Sequence, residues 1–87
     1  MAYQVLFQPS AARQLSKLPR DVRRRLVAKA ESLADDPRPY GCERITGMED
    51  TYRVRVGDYR IVYQVRDDRL LVLVIRVGDR KEVYRRL

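Results

Sequence analysis

Apolar and polar residues alternate without interruption along Thr-Tyr-Arg-Val-Arg-Val, residues 51–56, and resume along Tyr-Arg-Ile-Val-Tyr-Gln-Val-Arg, residues 59–66. Alternation at period two is the mark of a strand with one buried face. Gly57-Asp58 lies between the two runs, and a two-residue loop opening on glycine predicts a type II′ hairpin. The predicted strands cover 51–57 and 59–66. This loop pairs Val56 with Tyr59, Val54 with Ile61 and Tyr52 with Tyr63, and those six make one apolar face. The opposite face carries Arg53, Arg55 and Arg60. Arg55 and Arg60 are then direct cross-strand neighbours, an arrangement of like charges that destabilises a sheet. Either the arginines splay into solvent, or the face is built for a polyanion such as RNA.

The rest of the chain shows both periodicities. Residues 3–7 read as a short strand, ended by Pro9, which is tolerated at a helix start, with Ser10 near enough to help satisfy the free amides there. A helix is expected over 9–18 with Ala12, Leu15 and Leu18 inward, and Pro19 breaks it. A second helix over 20–35 places Val22, Leu26, Ala30 and Leu33 on one stripe, and Asp35-Asp36-Pro37 ends it. Arg23, Arg24, Arg25 and Lys29 form either a solvated helix face or a binding patch. Residues 38–47 are irregular, with a possible short strand over 43–46. Asp67-Asp68 is turn chemistry. The apolar run over 70–77 predicts a strand buried on both faces near the middle of the sheet, or a surface covered by a partner. The expected fold is α+β: a strand, then a two-helix hairpin packed on an antiparallel sheet of about four strands.

Composition narrows the chemistry. At 87 residues the chain forms one domain, 1–87. Nineteen Lys and Arg, sixteen of them arginine, oppose twelve Asp and Glu for a net charge of +7. Arginine is the planar, bidentate phosphate binder, so this bias points to nucleic acid. No stretch has the length of a transmembrane helix and no signal-peptide pattern begins the chain, so a cytoplasmic location without membrane contact is expected. The chain has no histidine and one cysteine, Cys42. An internal disulfide, a zinc site and every histidine-based mechanism are therefore excluded, and no metal or cofactor is expected. Cys42 has no base partner and reads as a small loop residue.

The succession of a short strand, helix-Pro-helix, a Pro-rich bend, Ile-Thr-Gly, YRVRVGDYRIVYQV and RVGDRKEVYRRL resembles the RelE family over nearly the whole chain. These are toxins of toxin–antitoxin pairs within the RelE/ParE superfamily. The resemblance implies ribosome-dependent cleavage of mRNA in the decoding site and a hetero-oligomer with a cognate acidic, RelB-like antitoxin. It also assigns roles. The family's two basic residues on the first hairpin strand fall on Arg53 and Arg55, and the arginine of the second strand on Arg60. The arginine after the last strand falls on Arg80, and the tyrosine that stacks on a base on Tyr84. Lys81 joins these as an RNA contact. The best-known members carry lysine at the positions of Arg53 and Arg55, and many relatives have histidine where Asp79 stands.

Metal-free RNA cleavage proceeds by attack of a 2′-hydroxyl on the adjacent phosphate. The hydroxyl must lose its proton, the phosphorane charge must be stabilised, and the leaving 5′-oxygen must be protonated. Arginines meet the second need through charge-assisted, bidentate bonds. A guanidinium does not serve as base, so the base is unassigned. Either Lys81, Glu82 or Tyr84 serves, or the reaction leans on positioning and electrostatics with Arg80 nearest the leaving group. Two other classes compete: a ParE-like poison of DNA gyrase, which is a protein-binding inhibitor, and an RNA-binding module without catalysis.

Overall fold

The computed structural model describes residues 2–79. In chain order these form β1 (Gln4–Phe7), α1 (Pro9–Ser16), α2 (Arg20–Ser32), β2 (Glu43–Arg44), β3 (Thr51–Val56), β4 (Tyr59–Arg66), a 3-10 turn (Asp67–Arg69) and β5 (Leu71–Asp79). No described helix is long and apolar enough to cross a membrane.

Pro9 opens α1 where its missing amide is no loss. No side chain caps this end, so Ser10 does not play the expected role. Leu15 and Leu18 pack inward as their spacing predicts, but the third inward residue is Ala11, fully buried, while Ala12 faces solvent. Positions 11, 15 and 18 form an i, i+4, i+7 row, and 12 with 15 satisfies the helical period equally well; only the roll of the helix on the sheet separates them. Pro19 cannot donate to the preceding turn, and its carbonyl accepts the first bond of α2 from the Arg23 amide at 2.9 Å. The α2 stripe behaves as its periodicity predicts: Leu26, Ala30 and Leu33 are buried and Val22 packs against them. Each large apolar side chain so buried contributes about 1.5–3 kcal/mol.

The sheet runs β1-β5-β4-β3-β2 and is mixed, with a fifth strand beyond the expected four. β1 lies parallel to β5, pairing Val5 with Val72 and Phe7 with Val74, and the other pairs are antiparallel. The parallel pair follows from connectivity: the helical hairpin carries the chain across the sheet, and β5 then returns in the direction of β1. The hairpin register is the one expected, with Val56 opposite Tyr59, Val54 opposite Ile61 and Tyr52 opposite Tyr63. All six belong to the core beneath the helices, together with Val65, Val72, Val74 and Val77. Gly57 at the tip has φ +61, and a β-carbon there would lie 2.6 Å from the Arg25 guanidinium of α2. The positive φ is what favours glycine at this position, since the flexible end of Arg25 can shift aside.

β5 departs from simple alternation. Val62 pairs with Arg76 but Tyr63 pairs with Val74, so Ile75 is an extra residue in a β-bulge. Continued from Val72 and Val74, strict alternation would send Arg76 into the core and Val77 out. The bulge reverses the phase, burying Val77 and turning Arg76 to the face away from the helices. Leu71, Leu73 and Ile75 are half-buried, so the apolar run is covered fully on one face only.

Candidate functional site

The face of the sheet opposite the helices gathers arginine in two rows. Cross-strand partners point to the same side, so one row runs Arg55, Arg60, Gly78 and the next runs Glu43, Arg53, Val62, Arg76 across β2, β3, β4 and β5. The rows lie two residues apart along the strands, about 6.8 Å. Gly78 contributes no side chain beside Arg60. Val62 is fully buried although it lies outside the helix-side core, and the aliphatic stems of Arg53 and Arg76 are placed to cover it.

The direct apposition of Arg55 and Arg60 is relieved by divergence. Arg55 is exposed and turns along its strand, its Nε donating to the Gly57 carbonyl at 2.9 Å. Arg60 is only 8% exposed and points the other way, its Nη1 lying 3.5 Å from Oε1 of Glu43. The same Oε1 accepts from Arg53 Nε at 3.2 Å. One carboxylate oxygen thus faces two guanidinium groups. The hydrogen bond from Arg53, then its charge and that of Arg60, hold the Glu43 carboxyl below the usual glutamate range. Of the four arginines on this face, Arg53 and Arg60 both meet this carboxylate.

A second arginine site lies on the helix side, at the rim of the sheet. Arg38 grips Asp67 with both terminal nitrogens, at 2.8 and 3.2 Å. Its Nε donates to the Tyr52 hydroxyl at 2.9 Å, and its guanidinium lies 5.2 Å from the centre of that ring. Tyr3 donates to Asp67 at 2.6 Å. Asp67 is held below its ordinary value, first by the bonds from Arg38 and then by that from Tyr3. Tyr52 stacks on Tyr63 with ring centres 5.9 Å apart, and Tyr63 donates to the Pro37 carbonyl at 2.8 Å. Burial pushes the Tyr63 phenol well above its ordinary value. This cluster ties the bend after α2 to β1 and to the β4–β5 turn.

Arg53, Arg55 and Arg60 thus come together where the hairpin register places them. Arg80, Lys81, Glu82 and Tyr84 lie outside the described residues. Two members of the face escaped the sequence reading. Arg76 had a signal: an arginine in phase with two core valines demands either burial or a bulge. Glu43 had none, because its approach to Arg53 depends on how the loop over 45–50 folds β2 back onto β3. There the Ile45 amide bonds the Thr51 carbonyl at 2.9 Å.

Comparison with known proteins adds to this geometry. Residues 5–84 match a family described as the ParE toxin of the type II toxin–antitoxin system parDE. The chain is 38% identical to the mRNA interferase toxin RelE of Escherichia coli over 88 aligned positions, covering 97% of this chain and 92% of that protein. A free-state structure of a mutant of E. coli RelE superposes with a TM-score of 0.82 at 36% identity, covering 98% of this chain and 93% of that one. The RelE chain of the intact E. coli RelBE toxin–antitoxin complex superposes at 0.80, with 35% identity over 90% of this chain and 96% of that one. With a family match over most of the chain and full-length relatives above 30% identity, this protein belongs to the RelE/ParE family of type II toxins.

Proposed function

We propose that the chain is a metal-independent endoribonuclease that cleaves mRNA on the ribosome and acts in the cytoplasm as the toxin of a toxin–antitoxin pair. The observation that carries this reading is the face itself: Arg53, Arg55, Arg60 and Arg76 on one sheet surface that neither described helix covers. Its sequence is 38% identical to a protein named as an mRNA interferase.

In this reading the 2′-hydroxyl attacks the neighbouring phosphorus, and the P–O5′ bond breaks. The products are a 2′,3′-cyclic phosphate and a free 5′-hydroxyl. Arg60, held rigidly at the base of the face, contacts the phosphate as charge develops, and Arg53 and Arg55 neutralise its flanks. Rigid placement matters because a donor already aimed at the phosphorane needs no reorganisation during the reaction. By the roles the resemblance implies, Arg80 serves the leaving oxygen and Tyr84 stacks on a base to align the hydroxyl, with Lys81 as an added RNA contact. The base is unassigned: Lys81, Glu82 or Tyr84 takes the proton, or the reaction leans on positioning and electrostatics alone. A +7 chain of this kind suits an acidic antitoxin whose amphipathic segments cover helices or sheet and pair with its arginines. The RelBE complex supports such a partner.

The ParE description of the matching family keeps a second reading in view, poisoning of DNA gyrase. Toeprinting of an mRNA on ribosomes, with and without the purified chain, separates the two. Extension stops at new 5′ ends within the occupied A-site codon are expected. Uncut mRNA together with trapped, cleaved DNA in a gyrase assay would establish the second reading instead.

A further inference from the structure

Glu43 stands where an incoming anion would have to bind. Its Oε1 lies 3.2 Å from Arg53 Nε and 3.5 Å from Arg60 Nη1, the disposition a phosphate oxygen takes between two guanidinium groups. The arginines form a fixed socket: the Arg60 side chain is 10% exposed and that of Arg53 22%, whereas the Glu43 side chain is 56% exposed. Glu43 also sits on a strand of two residues at the sheet edge, both of them exposed. Such a strand has few ladder bonds to hold it, and local opening is cheap at an edge with little burial. The wet, weakly anchored partner is therefore the one able to leave.

We infer that Glu43 is a displaceable internal stand-in for the RNA phosphate. Its Oε1 marks the subsite of a non-bridging phosphate oxygen, and the carboxylate swings out when RNA enters. In the empty protein Glu43 shields Arg53 and Arg60 from each other and favours the folded hairpin. With RNA present it competes with the phosphate for the same donors. Stability of the free protein and affinity for RNA are then opposed at this residue, by more than the general repulsion any carboxylate on this face exerts on phosphate. The inference rests on the proposal that this face takes RNA phosphate.

The test uses Glu43→Gln, which keeps the shape and removes the charge, and Glu43→Asp, which keeps the charge. The probe is a single-stranded RNA oligonucleotide made uncleavable by 2′-deoxy substitution, measured at low salt, with inorganic phosphate as a second probe. Glu43→Gln is expected to lower the thermal midpoint of the free protein yet bind the oligonucleotide about three- to tenfold tighter. Phosphate should raise its midpoint more than it raises that of the unmodified protein. Glu43→Asp should bind as the unmodified protein does. Equal or weaker binding by Glu43→Gln overturns the inference. Arg53→Ala and Arg60→Ala, measured alongside, locate any failure. If they weaken binding while Glu43→Gln does not tighten it, the stand-in role alone is wrong. If they leave binding unchanged, both this inference and the arginine-face reading fall.

Discussion

Arg38 and Arg60 are the same residue type in one small domain, set in opposite circumstances. Arg38 has a carboxylate of its own, held bidentately at 2.8 and 3.2 Å, and a phenol for its remaining nitrogen. Arg60 shares one oxygen with Arg53 at a longer 3.5 Å, beside Arg55 and in a face that also holds Arg76. The first arrangement is matched in charge and geometry, as a group that holds elements together should be. The second sets Arg55 opposite Arg60, an arrangement that folding alone does not require, because like charges facing each other across a ladder cost stability. What separates the two is that Arg38 holds Asp67 bidentately whereas Arg60 meets one oxygen of Glu43 that Arg53 also uses, which composition does not reveal.

This contrast is sharpest at Arg60. Arg60→Ala should remove a contact that strengthens in the transition state, worth roughly 3–4 kcal/mol or two to three orders of magnitude in single-turnover mRNA cleavage on programmed ribosomes. Arg60→Lys should recover only part of it, since ammonium keeps the charge and loses the planar fork. Thermal stability should change little. A loss of cleavage matched by a loss of folded protein would erase the distinction between the two arginine sites.

Arg38→Ala should behave in reverse, lowering unfolding free energy by about 1–2 kcal/mol while cleavage per folded molecule stays the same. The corner also has a pH signature. Asp67 holds its proton less tightly when folded than when unfolded, so its contribution is complete above the ordinary aspartate value of 3.8 and is lost as pH falls through the lower folded value. Asp67→Asn should therefore be less stable at neutral pH and fall less steeply in acid, as read from thermal midpoints across the acid range.

The smallest effect is expected at Arg76. Arg76→Met keeps an aliphatic stem over Val62 and removes the charge. The slope of log affinity against log salt for single-stranded RNA should shrink by somewhat less than one, with cleavage at low salt falling severalfold. Arg24→Ala, on the helical face, should change neither. If Arg24→Ala and Arg76→Met alter the slope equally, position on the sheet is irrelevant and only net charge counts.

Much of this was legible in the chain. Hairpin register follows from a two-residue loop and strict alternation, both local, so the faces of Tyr52, Val54 and Ile61 and of Arg53, Arg55 and Arg60 could be read directly. The α2 stripe is local for the same reason. The family resemblance and the roles it implies also rest on contiguous blocks. Tertiary structure alone decided what depends on distant segments meeting. The parallel pairing of β1 with β5 joins residues far apart in sequence. Whether Ala11 or Ala12 faces inward depends on how α1 rolls on the sheet. The bulge at Ile75 reconciles an arginine with a core-facing phase, and it places Arg76 in line with Arg53. Glu43 reaches Arg53 and Arg60 only after the loop over 45–50 brings an edge strand alongside. Periodicity assigns a side chain to a face; which charges then meet on that face is set by long-range packing.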